Sequence, residues 1–176
     1  MALTFQQICS TNSEGELFKL LGSELQQLFP PELENDPVVF LSRLHAAPAG
    51  LRAMAVTYEL DVSMAMDDLA WHFINHHSSL ELAEETITGL NELEASEAAE
   101  IFEEALAILK PHWEDLENAS QSKNAHDWLD AKGIQNQMKS LNTRMWKQLE
   151  QFGENGLLSL WVAYARKRPE RCVQMN

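Results

Sequence analysis

The chain has 176 residues, 45% of them hydrophobic, and carries 13 Lys and Arg against 27 Asp and Glu, for a net charge of −14. That length suffices for one domain that buries about 70% of the surface its unfolded form would expose, without disulfides or metal. The charge excludes direct binding of DNA, RNA or an anionic membrane surface, because phosphate contacts require the Lys and Arg that are scarce here.

Apolar residues recur at helical spacing and no convincing stretch alternates with the period of a strand. The expected fold is therefore all-α, a compact single-domain multi-helix bundle over residues 1–176. A first helix is expected from about Asn12 to Phe29, ended by Pro30-Pro31, where a missing amide and a ring clash stop the ladder. Asp36-Pro37 opens the next, with Asp36 as cap and Pro37 in the first turn, and Pro48-Ala49-Gly50 follows its end. Leu51 to His77 reads as one or two helices with a break near Asp61-Val62-Ser63. Ser78-x-x-Glu81 forms a capping-box pattern for the following helix, which leaves through Gly89 to Glu94. Ser96 caps a helix running to Lys110, and Pro111 marks its boundary. Asn118 to Asn124 is a polar connection. Shorter helical pieces break at Lys132-Gly133 before a helix from about Ile134 to Phe152, and Gly153 to Gly156 separates a last helix reaching Arg168. Cys9 and Cys172 form neither a disulfide framework nor a close metal-binding pair, so two free thiols are expected. With no basic leader, and no run approaching the roughly 18 apolar residues of a membrane span, the expected setting is soluble and cytoplasmic.

The charge is not evenly spread. Between Arg52 and Lys110 stand thirteen acidic residues and no Lys or Arg. Like charges on one surface repel each other and oppose compaction, so this run exceeds what solubility requires and suggests a cationic protein partner. Projected at 100° per residue from Glu97, Glu104, Glu100 and Glu103 fall at roughly 340°, 300° and 240°, against roughly 20° to 140° for Ile101, Ala105, Ile108, Leu109 and Phe102. Glu81, Glu84 and Glu85 cluster likewise opposite Leu82, Ala83, Ile87 and Leu90. Carboxylates at these spacings are about 5 to 6 Å apart along a helix, the same order as the roughly 3.4 Å rise between phosphates of a DNA strand. The candidate protein-binding set is Asp67, Asp68, Glu81, Glu84, Glu85, Glu92, Glu94, Glu97, Glu100, Glu103 and Glu104. The alternative is that these are solvated faces, with Glu81 and Glu97 favoured in first turns by the helix dipole.

Asp68, His72 and His76 fall at i, i+4 and i+8, where a carboxylate and two imidazoles can share one helix face as metal ligands. The H-x-x-x-H pair lacks the intervening Glu of a metalloprotease, and Asp67 is not required to replace it. The preferred reading is structural, with Trp71, Phe73 and Ile74 packed in the core and the histidines at a polar margin or an interface. Trp113, Trp128, Trp146 and Trp161 are read as core anchors in preference to a stacking cage.

Tyr58-Glu59-Leu60-Asp61, then Leu69-Ala70-Trp71-His72-Phe73-Ile74-Asn75-His76-His77-Ser78-Ser79, followed by the acidic Ala-rich helix, resembles a bacterial helical family that includes an acidic DNA-mimic protein. Leu141-Asn142, Trp146 and the run Leu160-Trp161-Val162-Ala163-Tyr164-Ala165-Arg166 extend the resemblance to about residues 55–168. The family's Asn-Gly-Gly-Phe turn is half present: Phe73 and Asn75 fit, while Met66-Asp67-Asp68-Leu69 replaces the turn, so without paired glycines the backbone there is expected to continue as helix. The resemblance implies an all-helical, dimeric protein that binds a DNA-binding protein through carboxylates.

No nucleotide loop or nucleophile motif appears, and no cofactor is expected. The preferred reading is a non-enzymatic acidic interaction protein, a DNA mimic on the basic surface of a DNA-binding regulator. The alternatives are a metal-dependent hydrolase using Asp68, His72 and His76, and a helical adaptor for another cationic partner. Because Arg166-Lys167-Arg168 and Arg171 can meet the acidic region of a second copy, a homodimer is also expected.

Overall fold

A computed structural model describes residues 2–30, 37–76, 79–120 and 125–174, with the backbone alone described at His76. Helices α1 (Phe5–Ser10), α2 (Glu14–Leu28), α3 (Pro37–Ala46), α4 (Ala49–Met66), α5 (Leu69–His76) and α6 (Leu80–Glu92) form the first half. The second half contains α7 (Ser96–Leu109), α8 (Trp113–Ser120), α9 (Ala125–Ala131), α10 (Ile134–Gln151) and α11 (Leu158–Lys167). Short 3-10 turns at Lys110–His112 and Pro169–Cys172 complete it, and the described residues contain no strand. The fold is all-α.

Several boundaries follow the sequence reading. Ser13 caps α2 through the Glu16 amide, α3 starts at Pro37, and α10 and α11 flank the Gly153 to Gly156 turn. Asn118 to Ser120, expected in a polar connection, close α8 instead, and three further expectations change. The first is the omission of α1, which is short but carries its own capping box: Thr4 Oγ1 accepts from the Gln7 amide while the Gln7 side chain accepts from the Thr4 amide.

The second is the expected break at Asp61-Val62-Ser63. Helix α4 runs through it unbroken, and the chain breaks instead at Asp67-Asp68, where continuous helix was expected. Two side chains fix that position by satisfying amides at the start of α5. Asp68 Oδ1 accepts from the Trp71 amide at 3.0 Å, and buried Asn142 of α10 accepts from the Leu69 amide at 3.1 Å. The third concerns caps: α7 begins at Ser96 itself, with Ala95 at the cap position and no side-chain cap bond. Asp36 and Ser78, the other two expected caps, lie outside the described residues.

Helix α4 is the hub, packed against α2, α3, α5, α6, α11 and the C-terminal 3-10 turn. It buries Leu51, Met54, Val56, Leu60 and Met64 on several sides, as a central helix must. Its closest neighbour is α6. A Cβ on Gly89 would lie 2.5 Å from Val56 Cγ2 and 3.2 Å from the Ala53 Cα, so only glycine permits this helix separation. The larger core cluster joins Leu60, Phe73, Ile101, Phe102, Leu129 and Met138 from α4, α5, α7, α9 and α10. A second holds Leu17, Leu21, Met54, Trp161 and Ala165, tying α2 and α11 to the front of α4.

Candidate functional site

The acidic residues of α6 and α7 divide into two groups once the helices are placed. Helix α7 buries Ala98, Ile101, Phe102, Ala105 and Leu109 and exposes Glu97, Glu100, Glu103 and Glu104, as its periodicity predicts. Only Glu104 of these four meets a cation among the described residues, Arg144 Nη1 of α10 at 2.8 Å. That hydrogen bond holds the Glu104 carboxyl below the usual carboxylate range and raises Arg144, with Glu97 and Glu100 adding to the field on Arg144. Glu97, Glu100 and Glu103 form no ion pair with a described residue. Asp67 is also exposed, at the end of α4.

The carboxylates of α6 and its exit behave differently. Glu92 receives Arg171 Nη2 at 2.8 Å and is a hydrogen-bond acceptor for the Tyr164 hydroxyl. Arg171 is the main reason its carboxyl sits below the ordinary range, opposed by burial and assisted by Tyr164. Burial and the Glu92 carboxylate in turn push the Tyr164 phenol up. Glu94, at φ 63, bonds Lys167 Nζ at 2.6 Å. Glu85 meets His45 at 3.2 Å and Arg52 at 3.6 Å, Glu84 meets Lys110 at 3.5 Å, and Glu81 lies 3.8 Å from His45. The run that lacks cations in sequence thus receives them from outside it: Arg52 at its front, Lys110 at its end, and Arg144, Lys167 and Arg171 from distant parts of the chain, with the His45 imidazole also against Glu85.

The histidine group is placed otherwise. His72 is fully buried, its Nδ1 2.9 Å from Ser63 Oγ and its ring edge-on to Phe102, while Asp68 spends Oδ1 on the α5 amide. The side chain of His76 lies outside the described residues. No group of three residues able to hold a metal ion occurs among the described residues. Cys9 and Cys172 are both free, and burial is the main cause pushing the Cys172 thiol up to about 12.

Sequence reasoning overlooked a cleft between α4, α10 and the α10–α11 turn. Trp161 is buried as expected, but Trp146 is 41% exposed, with its indole N–H donating to the Met64 carbonyl at 2.9 Å. Beside it Asp61 accepts the Leu157 amide at 2.7 Å. Burial raises the Asp61 carboxyl from its ordinary value, and that amide works in the opposite direction. Gly156, at φ 50, sits where any Cβ would collide with Asp61 Oδ1. The only advance signal was the pair of glycines in the turn.

An all-helical domain with one exposed carboxylate ridge and a second, internally neutralised acidic group defines the class. The chain belongs to the DMP19-like protein family, whose model matches residues 45–168. The match extends from the end of α3 to the end of α11 and contains the ridge, the paired carboxylates and the cleft. Comparisons with curated proteins and with solved structures gave no match. No described helix is long and apolar enough to cross a membrane.

Proposed function

We propose that this protein is a non-enzymatic interaction protein whose α7 ridge occupies the basic, nucleic-acid-binding surface of a DNA-binding protein. The observation that carries this reading is the exposure of Glu97, Glu100 and Glu103 on one helix face without an ion-pair partner among the described residues. A carboxylate already held by Arg171 or Lys167 must give up that contact to bind a partner. The ridge has no such cost. Its glutamates, one helical turn apart, present negative charge at a spacing of about 5 Å, on the scale of a phosphate backbone. Rim charges of this kind speed encounter and fix register, and their effect fades as salt shortens the screening length to about 10 Å at 0.1 M. Membership of the DMP19-like family, and the sequence resemblance to a family with a DNA mimic, support the same reading. A cationic protein is the partner, and a homodimer is compatible with the ridge remaining open.

The test is affinity capture at low salt from the source cell, with mass spectrometry of proteins eluted by rising salt. The captured protein is then offered duplex DNA with and without this protein. Displacement of DNA by the wild type, and its loss in Glu97→Gln/Glu100→Gln/Glu103→Gln, is the expected result. A captured partner that binds DNA and this protein together would refute mimicry.

A further inference from the structure

The cleft at Trp146 is an open depression of about 530 Å³. Its walls come from α4 (Asp61, Met64, Ala65), α10 (Trp146, Leu149, Glu150) and the turn carrying Glu154 and Gly156. Ala65 joins the cleft to an apolar stripe on α4 whose Val62 and Met66 border the neighbouring depression against α5. Along α4, Tyr58 (46% exposed), Val62, Ala65 and Met66 (81% exposed) form a stripe at i, i+4, i+7 and i+8, on a helix whose other sides are buried. Eight residues of helix rise about 12 Å, longer than one side chain covers, and a linear polyamine of that length carries no apolar side chains to cover Tyr58 and Met66, so the occupant is a length of polypeptide. The charge selects its chemistry. Asp61, Glu150 and Glu154 line the cleft, and among the described residues no Lys or Arg does. Trp146 is fixed by its hydrogen bond, so its face is a preformed platform for an apolar stem or a cationic head.

We propose that this cleft is a docking site for a basic polypeptide segment bearing both apolar and Arg or Lys side chains. The apolar side chains lie on Trp146 and the α4 stripe, and the cationic heads meet Glu150 and Glu154. The site is separate from the α7 ridge and goes beyond that reading. Trp146 and Arg144 are two residues apart on α10, roughly 200° around the helix, and Arg144 is the residue that reaches α7 through Glu104.

Fluorescence anisotropy with three short labelled peptides tests this: arginine with leucine, arginine with serine at the same charge, and glutamate with leucine. The arginine–leucine peptide should bind the full chain. Trp146→Ala and, separately, Glu150→Gln/Glu154→Gln should weaken it about tenfold each, the loss of a central aromatic anchor or of a charged pair of contacts. Trp146→Phe should retain most of the affinity, since it keeps an aromatic face. Glu97→Gln/Glu100→Gln/Glu103→Gln should change it by less than about twofold, the scale of a distant rim charge. Equal binding of the arginine–serine or glutamate–leucine peptide overturns the proposal. So does wild-type affinity in Glu150→Gln/Glu154→Gln, which decides the matter if Trp146→Ala fails to fold by circular dichroism. A loss in the ridge variant as large as in the cleft variants would move the site to α7. Failure of the arginine–leucine peptide to bind, together with self-association abolished by Trp146→Ala, would assign the cleft to a second copy of this chain.

Discussion

The ridge of α7 and the exit of α6 carry the same kind of residue in the same stretch of sequence and are partnered in opposite ways. Glu92 and Glu94 fasten the C-terminal segment to the bundle through Arg171, Tyr164 and Lys167, whereas Glu97, Glu100 and Glu103 fasten nothing among the described residues. Negative charge along a chain therefore does not define a binding face. What separates the two groups is whether the fold returns a cation to them. The C-terminal basic run, read from sequence as a contact for a second copy, supplies Lys167 and Arg171 to its own chain's α6 exit.

The largest effect comes from removing the support that both regions share. Gly89→Val drives a side chain into Val56 and the Ala53 backbone, separating α4 from α6, and should destabilise by about 3 kcal/mol, the upper range of overpacking. Urea unfolding measures it, and a wild-type midpoint would show that the two helices separate freely. Arg171→Ala follows. It removes the partner of Glu92 and Tyr164 and should cost about 1–2 kcal/mol, moderated by solvent screening because Arg171 is half exposed. No loss would mean that the packing of the C-terminal turn on α1, α4 and α11 holds it without the ion pair.

Acid sharpens the comparison further. Arg171 holds the folded Glu92 carboxyl below its ordinary value of 4.5, so folding favours its charged form. That contribution is complete above the unfolded value and disappears as pH falls through the lower folded value. Glu92→Gln should therefore be less stable than wild type near neutrality and lose less of its stability between about pH 5 and 3, in keeping with the linkage slope. Parallel pH profiles for the two proteins would contradict this. The smallest effect belongs to the ridge. Glu97→Gln/Glu100→Gln/Glu103→Gln should raise stability by a few tenths of a kcal/mol per relieved pair, about 0.2 to 0.5, less the first-turn dipole contribution of Glu97. A measurable loss would reveal a structural contact at the ridge.

The legible parts of the molecule were those written locally. The face of α7 follows from 3.6-residue periodicity, and the ends of α3 and α10 follow from Pro37 and Gly133. The break between α4 and α5 was misplaced because residues 61–63 and 67–68 look alike in sequence. Asn142, 73 residues from the Leu69 amide it accepts, helps decide between them. The ion pairs of Glu92, Glu94 and Glu104 were hidden for the same reason, since Arg171, Lys167 and Arg144 lie 40 to 79 residues away. Trp146 looked like core because tryptophan is usually buried. Its exposure depends on the partner surface of α4, which no local pattern encodes.

The most direct test of the division between fastening and free carboxylates is the salt dependence of affinity for a captured cationic partner. Wild type, Glu97→Gln/Glu100→Gln/Glu103→Gln and Glu92→Gln are compared by titration at several salt concentrations. The ridge variant should bind more weakly and with a flatter dependence on salt, while Glu92→Gln binds as wild type wherever it is folded. Unchanged affinity and slope in the ridge variant, at full stability, would contradict the account and mark α7 as merely solvated.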